Sequence, residues 1–204
     1  MIEFEQSLKK EGFEYIIGID EAGRGPLAGP VVACAVLVRE YDFQSKIADS
    51  KKISPRQRET AFKEILEKSH VGVGIINETV IDDINILEAT YMAMNNAVLQ
   101  LTTSISRGND THLSKTCLLV DGNRFKTDLP FKFKTIVQGD SKIFSIACAS
   151  IMAKVIRDRI LLTYDRIFPQ YGFKQHKGYP TADHKKAIVQ HGLSMIHRKT
   201  FAHL

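Results

Sequence analysis

Apolar residues gather in five short runs, and longer amphipathic or polar stretches separate them. Tyr15–Asp20, Val31–Val38, Val71–Asn77, Cys117–Asp121 and Phe131–Val137 have the length and the Val, Ile, Leu and Phe content of buried strands. Between and after them the apolar positions recur at helical spacing. Ser54-Pro55-Arg56-Gln57 reads as a capping box with proline at the first helical position, and it opens a helix to about Lys68. Ile84 to about Leu101 has helical composition and spacing. Phe144 to Ile167 predicts a long helix whose Ser145, Ala147, Ala149, Ser150 and Ala153 permit close packing. Thr181 caps a last helix that ends near Gly192. Ser104–Lys115, reading SISRGNDTHLSK, predicts a surface loop. This order predicts an α/β protein: a mixed five-stranded sheet flanked by helices. A main domain over 1–169 would carry a basic helical extension over 170–204 packed on it.

Composition narrows the class without naming a chemistry. With 44% hydrophobic and 25% charged residues, the 204-residue chain can bury a core unaided by disulfides or a structural metal. Cys34, Cys117 and Cys148 lie far apart in apolar surroundings with no Cys-x-x-Cys pair, which predicts reduced, buried thiols. The amino-terminal MIEFEQSLKKEGFEY lacks the apolar stretch of a signal peptide, and no apolar run approaches membrane-spanning length. A soluble cytoplasmic protein, no membrane partner and a monomeric state are the resulting expectations.

Charge adds a direction. The last 35 residues hold Lys174, Lys177, Lys185, Lys186, Arg198 and Lys199 against Asp183 alone. The first 169 residues are balanced, with 22 basic and 22 acidic groups, so the whole +5 surplus falls in the tail. Such a tail either meets phosphates or serves as a solubilising surface.

Residues 18–30, GIDEAGRGPLAGP, satisfy the letters of a dinucleotide fingerprint through Gly23, Gly25 and Ala28. That fingerprint needs a helix after its glycines. Here Pro26, Gly29 and Pro30 interrupt any helix and the β-rich VVACAVLV follows, so the glycines connect two strands and a nucleotide cofactor is disfavoured. The loop instead offers exposed backbone beside Asp20 and Glu21 at the end of an apolar strand. Adjacent strand side chains point to opposite faces, so both acids serve one site only if the strand ends or bends there.

Two more acids sit at strand ends. Asp121 closes CLLVD before Gly122, and Asp140 follows Phe131–Val137 through Gln138-Gly139. Singly, each reads as a strand terminator or, for Asp140, a helix cap. Together they matter more, because open α/β sheets place functional sites outside the carboxyl ends of their strands. Two carboxylates about 4 Å apart repel by roughly 4 kcal/mol at an effective dielectric of about 20. A converging set therefore needs shared protons or a divalent cation, and an oxygen-only site favours Mg²⁺ or Mn²⁺. Such ions suit phosphodiester hydrolysis.

The chain resembles bacterial ribonuclease HII, of the type 2 ribonuclease H family, from Tyr15 to about Phe201. The motifs that carry the likeness are IGIDEAGRGPLAGPVVA, DSKKIS, INILEATYMAM, VDGN, GDSK with SIACASIMAKVIRD, HKGYPTADH and HRKTF, in the family's order. The resemblance implies a ribonuclease H-like fold and a four-carboxylate site made of Asp20, Glu21, Asp121 and Asp140. It implies Mg²⁺ or Mn²⁺ as cofactor, one or two ions at the acids. The partners it implies are RNA/DNA hybrids and duplex DNA with embedded ribonucleotides. The strand would be cut on the 5′ side of a ribonucleotide, leaving 3′-hydroxyl and 5′-phosphate ends. Gly23, Arg24 and Gly25 match the family motif that recognises the 2′-hydroxyl, the group that separates RNA from DNA. Tyr179 matches the tyrosine that stacks on the following deoxyribonucleotide, and Lys51 and Arg198 are further candidate substrate contacts.

Departures from the family pattern are Cys148, Pro180 after the tyrosine, and Lys199-Thr200. The proline is the one placed to alter the loop carrying Tyr179. Two alternatives compete. A ribonuclease HIII-like enzyme would carry an additional amino-terminal domain, for which the fourteen or so residues before the first strand leave no room. A nucleic-acid-binding module without catalysis would not need all four acids. His176, His184, His191, His197 and His203 match no metal-site spacing and read mostly as surface groups. Lys154 and Arg157 either point toward the site or solvate the long helix.

Overall fold

The structure is a computed structural model that describes residues 1–105 and 114–201. Its five strands are β1 (Tyr15–Ala22), β2 (Val31–Val38), β3 (Ser69–Ile76), β4 (Thr116–Asp121) and β5 (Lys132–Ile136). They form one mixed sheet in the order β3-β2-β1-β4-β5. β1 pairs antiparallel with β2 and parallel with β4, and β4 pairs parallel with β5. Three parallel strands thus direct their carboxyl ends to the same edge of the sheet.

Period-two alternation sorts the strand residues between two cores. Ile17, Ile19, Leu118 and Val120 face a layer containing Ala93, Ala97 and Leu101 of α4 (Ile86–Ile105). On the opposite face Val32, Cys34 and Val36 pack with Cys148, Ala149 and Met152 of α6 (Phe144–Ile167) and with Ala61 and Ile65 of α2 (Pro55–Lys68). Small residues set the layer spacing. A Cβ at Gly72 or Gly74 of β3 would strike the α4 backbone at Ala97 or Ala93. All three cysteines are buried and unpaired.

The capping box at Ser54 is present: its hydroxyl accepts from Gln57 N at 3.3 Å while its own amide donates to Gln57 Oε1 at 2.8 Å. Thr181 caps α8 (Ala182–His191) by accepting from His184 N. The helix expected over Ile84 to about Leu101 is α4, which starts at Ile86, and a separate α3 (Glu78–Ile84) precedes it. Asn85 divides them at φ 69°, and its side chain accepts from the amides of Leu87 and Glu88. α4 also runs through Ser104 and Ile105, which begin the segment expected as a loop; residues 106–113 lie outside the described residues.

Like α3, other short elements left no reading in the sequence. α1 (Glu3–Lys10) buries only Glu5 and Leu8. Glu5 nevertheless accepts from Ser145 N at 3.0 Å, capping α6, which has no side-chain cap of its own. The short helices α5 (Gly139–Lys142) and α7 (Phe173–His176) are four residues each. Beyond α6 the chain folds around Leu27 and Ala28 of the β1–β2 connection, packing Tyr171, Phe173, Ile188 and Ile196 against them and against Leu161. Among the described residues no helix is long and apolar enough to cross a membrane.

Candidate active site

At the carboxyl edge of the parallel strands lies a cavity of about 490 Å³. The parallel register pairs Ile19 with Val120 and then stops, so Asp20 and Asp121 follow side by side at the ends of adjacent strands. β1 does not end at Asp20, contrary to expectation. It runs on to Ala22 against β2 alone, past the last β4 partner, and both Asp20 and Glu21 line the cavity. Asp121 pairs with Ile136 of β5, and its Oδ1 accepts from Gly139 N at 2.7 Å, which ties β4 to the start of α5. Asp140, in the first turn of α5, completes the set of four acids around the cavity.

The electrostatics are those of like charges crowded in a half-dry space. Burial raises Asp20 well above the usual carboxylate range, and repulsion by Glu21 and Asp121 raises it further; Ser150 offsets part of this by hydrogen bonding. Glu21 is raised by burial, lowered by Arg24 and raised by Asp121. Asp140 is raised by burial and then by Asp49 and Asp121, with Lys51 pulling the other way. Among the described residues, no three acid, histidine or cysteine side chains converge as a ready-made cation cage. Repulsion between bare carboxylates favours such spreading. The donor set is all oxygen, anionic and concentrated on one wall, which fits a hard divalent cation.

Around the acids the cavity wall holds Gly23, Arg24, Gly25, Lys51 and Tyr179, so nine of the ten residues singled out in the sequence meet there. Arg24 Nη1 lies 3.4 Å from Glu21 Oε1. Tyr179 is 42% exposed, and a Cβ placed on Gly25 would sit 3.8 Å from its Cε1. Pro180 does not withdraw Tyr179 from the cavity. Ser50, Ser150 and Lys154 also line the wall, and the two hydroxyls lie 3.0 Å apart. Ser150 belongs to the small-residue face of α6, where it read as packing, and Ser50, within DSKKIS, had no reading of its own. Lys154 lines the cavity while its Nζ pairs with Asp158 Oδ1 at 2.8 Å.

Arg198 is the tenth residue, and the structure corrects it. It is fully buried, and its guanidinium donates to the carbonyls of Gly23, Arg24 and Gly29, so it has no face left for substrate. Arg157 meets neither expectation held for it. It is buried too, donating to the carbonyls of Pro30, Ala28 and Lys177. Two histidines are likewise not surface groups: His184 and His197 are buried, with Nε2 atoms 3.0 Å apart.

Comparison with known proteins agrees with this geometry. The family model for ribonuclease HII matches residues 17–204. The ribonuclease HII of Chlorobium chlorochromatii is 48% identical over 196 residues, covering 93% of this chain and 90% of the relative. That of Acholeplasma laidlawii is 45% identical over 202 residues, covering 98% and 93%. Among solved structures, the ribonuclease H2 of Pyrococcus horikoshii superposes with a TM-score of 0.68 at 24% identity, covering 92% of this chain and 94% of that one. The Archaeoglobus fulgidus RNase HII in its complex with PCNA gives 0.70 at 22%, covering 91% and 94%. A Bst-RNase HIII in complex with Mn²⁺ gives 0.67 at 17%, covering 92% and 67%. These three show the shared fold, and the sequence matches show more: the chain belongs to the ribonuclease HII family of RNase H endoribonucleases.

Proposed function

We propose that the protein nicks duplex nucleic acid on the 5′ side of a ribonucleotide, including a single ribonucleotide embedded in DNA. The observation that carries this reading is the meeting of four acids with the Gly23–Gly25 backbone and Tyr179 in one cavity. Asp20, Glu21, Asp121 and Asp140 would hold Mg²⁺ or Mn²⁺. When bound, such a cation activates water and stabilises the departing oxygen. Water attacks the phosphorus, the bond to the 3′ oxygen of the upstream nucleotide breaks, and that oxygen takes a proton. The products are a 3′-hydroxyl and a 5′-phosphate on the ribonucleotide.

The chain's own groups orient the strand. Lys51 and Lys154 flank the acids and would meet the phosphates entering the site, and Arg24 would balance the charge of Glu21. The backbone at Gly23, Arg24 and Gly25 would read the 2′-hydroxyl, the atom by which RNA differs from DNA. Tyr179 would stack on the next sugar or base. The test is a magnesium-dependent nicking assay on a duplex with one ribonucleotide, with the cut mapped against size markers. One cut 5′ of the ribonucleotide and none in all-DNA duplex is the expected result. Cutting that needs several consecutive ribonucleotides, or full activity in excess chelator, refutes it.

A further inference from the structure

Two buried arginines have no part in the chemistry above. Arg157 comes from the middle of α6 and is 1% exposed; Arg198 comes from the segment after α8 and is 0% exposed. A buried guanidinium is costly unless its N–H groups are satisfied, and such residues usually find carboxylates. Neither of these forms an ion pair with any described residue. Arg157 donates to Pro30 O, Ala28 O and Lys177 O, each at 3.0 Å. Arg198 donates through Nη2 to Gly23 O at 2.6 Å and Gly29 O at 2.7 Å, and through Nη1 to Arg24 O at 2.9 Å. Burial pushes Arg157 down to about 10 and Arg198 down to about 9, so both stay charged at neutral pH.

The carbonyls they hold belong to the loop that faces the acids. The C=O and N–H of a trans peptide point in opposite directions, and the chain has no cis peptide among its described residues. With Gly23 O and Arg24 O both drawn inward to Arg198, the next N–H groups, those of Arg24 and Gly25, are turned away from it. Both residues line the cavity, and neither N–H finds an acceptor among the described residues. Two adjacent donors are thus left on the side of the loop away from the buried fork, in residues that line the same cavity as the acids. The same loop is stitched to the turn before Tyr179: Leu27 N donates to Gly178 O at 2.8 Å, and Arg157 joins Ala28 O and Pro30 O to Lys177 O.

We propose that Arg198 and Arg157 are positioning residues that set ribonucleotide preference from the buried side of the loop. Arg198 aims the Arg24 and Gly25 amides into the cavity, and Arg157 keeps the Tyr179 turn in register with them. The inference rests on the reading of that loop as the 2′-hydroxyl sensor. A bidentate fork can hold two successive carbonyls at once, whereas a lysine keeps the charge but offers a compact point donor.

The experiment uses Arg198→Lys and Arg157→Lys in the full chain, each in an Asp121→Asn background, with two readouts. Hydrogen exchange at the Leu27 and Gly29 amides reports whether the loop is held. Equilibrium binding reports the ratio of affinities for a one-ribonucleotide duplex and the all-DNA duplex. Faster exchange at both amides is expected, with a roughly tenfold loss of that ratio, the equivalent of about 1.4 kcal/mol, and unchanged affinity for all-DNA duplex. Unchanged exchange overturns the proposal, because the loop is then held without the fork. Faster exchange with the ratio intact also overturns it, since a merely structural role lowers stability without touching preference. If the Asp121→Asn parent shows no preference, the sensor reading itself fails, and the proposed control of preference falls with it. Should Arg198→Lys not fold, Arg157→Lys decides by the same two readouts.

Discussion

Gly23 and Gly25 flank Arg24 symmetrically in the sequence, yet they lack side chains for different reasons, and alanine at each position separates them. At Gly23 φ is +102°, and a Cβ would run into Nε and Cδ of Arg157. That side chain cannot move aside, because Nε donates to Pro30 O and the rest of the fork is engaged. A left-handed backbone costs a non-glycine residue roughly 1–2 kcal/mol. Overpacking adds roughly 1–3 kcal/mol, so Gly23→Ala should lose about 2–5 kcal/mol. At about 2–4 °C per kcal/mol for a chain of this size, Tm falls by roughly 4–20 °C. Gly25 has no positive φ, and the one atom near its added Cβ is Tyr179 Cε1 at 3.8 Å. Gly25→Ala should therefore change stability by no more than about 1 kcal/mol, if anything upward. Its methyl nonetheless fills the notch between loop and ring where the ribose would sit, and displacing a reacting group by an ångström can cost on the order of a hundredfold in rate. The assay pairs thermal melting with single-turnover nicking on the same preparations. Equal losses of Tm in the two variants, or full activity in Gly25→Ala, would refute the distinction.

Three further expectations follow from the same geometry. Asp20→Asn, Glu21→Gln, Asp121→Asn and Asp140→Asn should each lower nicking by orders of magnitude, yet Asp20→Asn should melt above the parent in chelator because a buried, repelled charge is gone. The folded pKa of Asp20 is raised, so the parent loses stability as pH climbs from the ordinary carboxylate value of about 4 through the raised one. The Tm gap between variant and parent must widen over that window, and a gap that narrows would refute the repulsion. Neutralising Lys177, Lys185, Lys186 and Lys199 should flatten the salt dependence of duplex binding by about 0.9 in log–log slope for each lysine that meets a phosphate; a parental slope would make the tail a solubilising surface. His197, pushed down to about 4 by burial and by His184, should show no titration by NMR between about pH 6 and 8, and a resolved imidazole titration there would refute the buried pair.

Most of the sheet was legible because its inner strands are nearly continuous apolar runs, and β2 and the helix α6 have the expected limits. The acids were legible for a related reason: each lies at or shortly after the end of an apolar run, and the parallel register brings those ends to one edge. What stayed hidden depends on long-range partners. Glu5 looks like an ordinary surface acid until α1 brings it to Ser145, 140 positions away. Asn85, at positive φ, separates α4 from a short preceding helix that the sequence did not reveal. Arg157 and Arg198 have the composition of solvated residues, and only the folded chain reveals that carbonyls surround them. Buried polar groups satisfied by distant backbone leave no local pattern to read.

The fate of Arg198 also changes what the basic tail does. By count the tail carries the whole positive surplus, but one of its six cations is spent inside the protein on the Gly23–Pro30 loop. The tail therefore acts on that loop by two physically distinct routes. Its exposed lysines would raise affinity for any duplex, with a dependence on salt and none on the sugar. Its buried arginine and the strand-like pairing of Ala28 with His197 hold the loop on which the proposed recognition of the 2′-hydroxyl would rest. Salt screens the first route and leaves the second, desolvated one largely untouched. Raising ionic strength should thus weaken binding to ribonucleotide-containing and all-DNA duplexes in parallel while preserving the ratio between them, whereas loosening the arginine fork should erode the ratio at every salt concentration.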